Sequence, residues 1–230
     1  MKTWKVLAAS ALLSMGPLSA QASYVTLDLT PIVNSDLSTY TNGGFYPGPG
    51  PLTIDEIAFE LTAGVNGTTW VAGGIASVGA PQAYPISGLH LSGVTAMYAL
   101  INSAFGACGF DVGSIGAHTA SGSVSYLLTE GVNVRDHFTG GFCNSQTEAV
   151  ATGSYGGGVL FDVYRFDLSA LTGGGLDEIT AFDFATFGAG GLGEPLVAAV
   201  TFATVPEPSS LALVSLGLFA LGFLARRRLS

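Results

Sequence analysis

Basic side chains are nearly missing from the middle of this 230-residue sequence. Five of its seven Lys and Arg lie at the ends, as Lys2, Lys5 and Arg226 to Arg228. Only Arg135 and Arg165 fall between residues 23 and 205. That stretch holds every acid except Glu207, fifteen of 16, so its formal net charge is −13, against −9 for the whole chain. Nucleic acid is excluded as a partner, because phosphate binding runs on Lys and Arg. An anionic membrane surface is disfavoured for the same reason. Surplus carboxylate suits solubility or a divalent cation. A structural calcium is therefore the one cofactor the charge suggests; otherwise none is expected.

Catalytic signatures are also lacking. No Gly-x-Ser-x-Gly elbow occurs, so the strained turn that presents a hydrolase serine has no counterpart. The three histidines, His90, His118 and His137, make no i, i+4 metal pair and no His-Glu-x-x-His. Asp-x-Asp-x-Asp is absent, which excludes an EF-hand loop. Gly188 to Gly193 matches Gly-x-Gly-x-x-Gly in letters only. Glu194-Pro195 and a strand pattern follow, where a dinucleotide site needs a helix N-terminus. The chain is not expected to be an enzyme.

Cysteine is limited to Cys108 and Cys143. In an exported chain an even count suggests a disulfide. Closing a loop of about 35 residues would add roughly 3–4 kcal/mol of stability. The alternative is a reactive thiol, with His118, His137 and Arg135 near in sequence.

Long amphipathic helices and heptads do not appear either. Short alternating segments do, and they mean half-buried strands. They are Tyr24 to Leu29, Ile54 to Leu61, Thr68 to Val78, Ser123 to Thr129, Gly158 to Leu168, Glu178 to Phe187 and Leu196 to Thr204. Within them Ile57, Phe59 and Leu61 share a face, as do Ile179, Ala181 and Asp183. Gly73-Gly74 reads as a bulge or bend. Val94 to Phe105 reads as a strand running into one helical turn. Asn34 to Pro51, with four Gly and three Pro, reads as an ordered loop packed through Tyr40, Phe45 and Tyr46. Many short strands in a chain with 33 Gly point to an all-β fold, a single β-sandwich.

Gly131 to Phe142 is the best site candidate in this domain. It sets Arg135, Asp136 and His137 on a loop that Cys143 would pin, as sandwiches present binding groups. A local Arg–Asp pair bracing the loop is the plainer reading. Arg165 is a candidate buried partner for a carboxylate.

The two ends are addresses rather than fold. Met1 to Lys5 is basic, Val6 to Met15 apolar, and Ala20-Gln21-Ala22 a small-x-small cleavage site. Residues 1–22 therefore read as a Sec signal peptide, leaving a domain of 23–205. At the other end, Pro206-Glu207-Pro208 precedes an uncharged run and Arg226-Arg227-Arg228. Residues 209–225 would make a helix of roughly 25 Å, long enough to cross a bilayer when Arg snorkels. The Arg cluster puts the C-terminus in the cytoplasm.

Those three parts, in that order, resemble the PEP-CTERM sorting signal of Gram-negative bacteria. The resemblance implies an exported protein held transiently in the inner membrane until exosortase removes 206–230. It implies a destination at the cell surface or extracellular matrix, where exopolysaccharide and biofilm are made. Asp36 to Gly44, Leu52 to Phe59, Tyr98 to Gly106 and Glu130 to His137 are similar to galactose-binding-like, carbohydrate-binding-module-type domains. That resemblance implies a jelly-roll and a carbohydrate ligand, here exopolysaccharide. The alternatives are a purely structural matrix protein and an enzyme acting on matrix polysaccharide. An exposed aromatic pair on one face would favour binding, and an all-polar face a structural role.

Overall fold

Apolar runs without alternation mark the strands that lie deepest. A computed structural model describes residues 23–40, 45–65, 73–75, 81–104, 108–140, 145, 148–187 and 193–205, all within the unit Ser23–Val205. The expected signal peptide, including Ala20 and Ala22, and the expected transmembrane tail lie outside the described residues. Among the described residues no helix is long and apolar enough to cross a membrane.

In chain order the described strands are β1 (Ser23–Thr26), β2 (Ser35–Asp36), β3 (Gly50–Ile54), β4 (Ile57–Leu61), β5 (Gly73–Gly74), β6 (Gln82–Leu91), β7 (Val94–Ala104), β8 (Asp111–Thr119), β9 (Ser123–Thr129), β10 (Ala149–Ser154), β11 (Leu160–Asp167), β12 (Ile179–Thr186) and β13 (Glu194–Thr204). They form a five-stranded sheet, β1-β13-β7-β11-β10, and a four-stranded sheet, β6-β12-β8-β9. All pairings in both sheets are antiparallel. Set β10 aside and count β1, β6, β7, β8, β9, β11, β12 and β13 as eight. One sheet then orders them first, eighth, third, sixth, and the other second, seventh, fourth, fifth.

The five-stranded sheet is covered on both faces. Met97, Ala99, Ile101, Tyr164, Phe166, Val200 and Phe202 share an apolar cluster with Ile115, Ala117, Phe182 and Phe184 of the four-stranded sheet. On the other face Leu100, Phe161, Val163 and Ala199 meet Ile54, Ile57, Phe59 and Leu61 of the β3–β4 hairpin. A strand sandwiched in this way cannot alternate polar with apolar, and all of β13 is buried. β6 shows the opposite case. It edges the four-stranded sheet, its outward residues are exposed, and Pro85 is tolerated there because an edge strand can spare a donor.

Several local expectations change. Residues 54–61 are not one strand: Asp55 (φ 49) and Glu56 (φ 67) turn the chain, and Ile54 pairs with Ile57. Two left-handed residues match strand twist in a tight hairpin. Ile57, Phe59 and Leu61 do share the buried face. β7 stays extended to Ala104, because β13 pairs it as far as Glu194↔Ala104; Phe105 lies outside the described residues. A bulge between Ile179 and Ala181 turns Ile179 to the same interior as Phe182 and Phe184, so Ile179 and Ala181 do not share a face. The 34–51 loop is anchored through Tyr46, whose ring stacks on Phe161 at 4.6 Å, while Gly50 and Pro51 enter the β3 ladder. Of the segment 68–78 only 73–75 is described, as β5 against β2.

Candidate functional site

At one end of the inter-sheet core the side chains become polar. Near its end β7 carries Asn102 and Ser103, and β11 brings Asp162 alongside; all three are buried. Asp162, wholly enclosed, accepts four hydrogen bonds. Arg135 Nε donates to Oδ2 at 2.6 Å and its Nη2 to Oδ1 at 2.8 Å. Asn102 Nδ2 donates to Oδ2 at 2.9 Å, and Thr152 Oγ1 to Oδ1 at 2.5 Å. Asn102 Oδ1 in turn accepts from the Asp162 amide at 3.0 Å, so it stands in for a missing ladder partner. The two-pronged guanidinium contact is the strong, geometrically specific form of an ion pair. The Asp162 hydrogen bonds raise the Arg135 pKa above its ordinary value, against the opposing effect of burial.

Arg135 reaches this position because its loop is stitched to β7. The Ser103 amide donates to Arg135 O at 2.8 Å, and the His137 amide to Ser103 O at 2.9 Å. His137 Nδ1 lies 2.8 Å from the same carbonyl. Leu160 N donates to His137 O at 2.8 Å, tying the loop to β11 as well. Asp136 Oδ1 accepts from Phe138 N at 2.8 Å, the local bond that suits Asp to turns. Arg135, Asp136 and His137 therefore do stand together, but Asp136 and His137 are only 5% and 3% exposed. The partner of Arg135 is Asp162, 27 residues on. Arg165 is exposed and does not serve as the buried carboxylate's partner.

Beside the pair lies a second polar group that sequence reasoning passed over as a turn. Glu130 is wholly buried, and neither carboxylate oxygen has a hydrogen-bond partner of standard geometry. The Tyr164 hydroxyl is also buried without one; the Ser103 hydroxyl makes no bond of standard geometry but lies close enough to Glu130 to hydrogen-bond its carboxylate. Burial pushes the Glu130 pKa up to about 7; nearby Ser103 pulls it down and Asp136 adds to the rise. Burial, then the Asp162 charge, raises the Tyr164 phenol. The end of the core thus holds the carboxyl groups of Glu130, Asp136 and Asp162 against the single guanidinium of Arg135.

The other histidines lie elsewhere. His90 Nδ1, exposed on β6, is 3.1 Å from Glu178. His118 Nε2 is 2.5 Å from Asp183 on the outer face of the four-stranded sheet. Gly116 makes room there, because a Cβ would come within 2.9 Å of an Asp183 oxygen. Among the described residues no three His, Cys, Asp or Glu gather as a metal-ligand set. Cys108 is exposed on the turn before β8. Cys143 lies outside the described residues, and their pairing remains an expectation.

The profile of the family described as PEP-CTERM protein-sorting motif matches residues 204–228. The chain carries a PEP-CTERM sorting signal. The match takes in Pro206, Glu207, Pro208 and Arg226 to Arg228, all outside the described residues. The PEP-CTERM motif marks an exported protein with a C-terminal signal processed by exosortase. No curated protein matches the chain. The PEP-CTERM match starts on the last residue of β13, Thr204.

Removing Arg135 would leave Asp162 buried and uncompensated. Arg135→Ala is expected to cost about 3–5 kcal/mol in urea unfolding, with Arg135→Lys losing less. A cost below about 1 kcal/mol would deny the pair its structural weight. Glu130 predicts a pH effect of known sign. Its folded pKa is raised from 4.5 to about 7, so the folded state holds a proton that the unfolded state releases. The stability it contributes is full below pH 4.5 and is lost as pH rises to about 7. Glu130→Gln should abolish that slope and raise stability at pH 8 by about 1–2 kcal/mol. Equal slopes in variant and parent would refute the assignment.

Proposed function

We propose that the chain is an exported, non-enzymatic protein of the cell surface or extracellular matrix, whose domain 23–205 is a jelly-roll sandwich freed from its tail by exosortase. The observation that carries this reading is the sorting motif at 204–228, abutting the end of β13. The strand orders support the jelly-roll, since two Greek keys folded over one core place strands in that sequence. The pairing of Cys108 with Cys143, near the polar end, belongs to the same reading, as an exported chain meets an oxidising compartment.

A structural role in the matrix is favoured over recognition of exopolysaccharide. The exposed rings Phe45, Phe110 and Phe187 are absent from every ring pair among the described residues. Stacking platforms of paired aromatics are what a sugar-binding face would offer. The polar groups of the Arg135 loop are turned into the protein, where Arg135 is held by Asp162 and His137 lies against the Ser103 carbonyl. A structural calcium is the ion that a domain of net charge −13 suits by charge, although among the described residues no ligand set gathers to hold it.

Two measurements test the reading. Replacing Pro206, Glu207 and Pro208 by alanine should leave the tail attached, seen as a heavier mature chain in intact-mass spectrometry. An unchanged mature mass would sink exosortase processing at this motif. For the domain's role, thermal unfolding of 23–205 is measured with the host's extracted polysaccharide and, separately, with calcium or a chelator. The structural reading expects no saturable shift with polysaccharide. A saturable rise would instead mean selective binding to the native state and would establish the carbohydrate reading.

A further inference from the structure

The sorting motif begins on the last residue of β13, and Val205, the last described residue, is held by a glycine clamp. β13 is buried along its whole length, between β1 and β7. Its final residue, Thr204, pairs with Ser23 on one side and Val94 on the other. The hydroxyls of Ser23 and Thr204 are 2.6 Å apart. One residue further, the Val205 amide donates to Gly93 O at 2.9 Å.

Gly93 can approach so closely only because it lacks a side chain. Its φ is +73, and a Cβ there would lie 2.8 Å from Val205 O. Gly93 is braced from behind in the same way. Its amide donates to Gly175 O at 3.2 Å, and Gly175, at φ +98, leaves only 3.1 Å between a Cβ and the Gly93 carbonyl. Thr172 closes the set by donating to Val94 O at 2.7 Å. The 168–175 loop thus backs the β6–β7 turn, and the turn backs Val205.

We propose that this Gly93–Val205 clamp sets the upstream limit of tail removal. Proteolytic enzymes take up extended, locally unfolded chain. The bonds from Thr201 to Thr204 lie in a buried strand paired with β1 on one edge and β7 on the other. The clamp therefore leaves cleavage to bonds that follow Val205. In the cut itself a peptide C–N bond breaks, and water supplies OH to the new carboxyl and H to the new amine. The mature domain then keeps Val205 and an intact β1–β13 pair. The inference rests on the reading of 206–230 as a removable tail, but the clamp does not depend on which enzyme removes it.

The test uses the full chain, in two arms. In its host, the mature protein should show a C-terminus at or beyond Val205 by intact mass. Purified in detergent and treated with proteinase K, the same chain should be trimmed to a resistant core ending at Val205 or within two residues after it. Gly93→Ala should let trimming run into β13, removing Thr204 and Ala203 at least tenfold faster than in the parent. If Gly93→Ala does not fold, insertion of Gly-Ser-Gly-Ser between Val205 and Pro206 serves instead. It leaves the clamp intact, so the resistant core should still end at Val205. A parent core or mature chain ending before Val205 overturns the proposal. So does an unchanged trimming rate in folded Gly93→Ala, or a core that extends through the inserted spacer. A tail retained in the host beside a protease edge at Val205 would refute exosortase processing while leaving the clamp standing.

Discussion

Asp162 is the constraint around which one end of the protein is arranged. A carboxylate with no solvent contact is costly unless its oxygens are filled. Here they are filled from three separate segments: Asn102 on β7, Thr152 on β10 and Arg135 on the loop after β9. Each donor has to be delivered by a different part of the chain. The ion pair therefore registers β10 and β11 against β7 and draws the 131–139 loop down over the end of the core. Once the loop is seated, the Ser103 carbonyl and amide are used up by His137 and Arg135, and Glu130 is enclosed.

That arrangement shifts the meaning of the chain's scarcity of bases. With two basic residues in the folded domain, one is committed to the interior. The remaining base, Arg165, and the many surface acids leave an exterior of strongly single sign. Such a surface keeps the domain soluble among like-charged polymers and resists self-association.

Much of this was legible in the sequence where the physics is local. β9, β11 and β12 were marked by alternation and the sorting tail by a linear arrangement of charge and apolar length, whereas β6, β8 and β10 were not read as strands. Legibility failed where a residue's role depends on something distant. Nothing near Arg135 points to Asp162 rather than Asp136, because the choice is made by β11 lying beside the loop. Asp55-Glu56 lacks the Asn or Gly that would announce a hairpin; the burial of Ile57, Phe59 and Leu61 against the five-stranded sheet forces the turn on residues with little liking for it. Asn102 and Ser103 gave the faintest usable signal, two polar residues near the end of an otherwise apolar strand. Glu130 gave none, since an acid before a glycine looks like any exposed turn.

The pairing of Ser23 with Thr204 also gives the domain a handle and a business end. Both chain ends leave from one pole, beside Gly93. β13 runs from there to Glu194 opposite Ala104, so the opposite pole carries Cys108, Glu130 and the Arg135 loop. If the protein is held by its C-terminal end, the pole with the Arg135 loop is the part that faces away from the attachment.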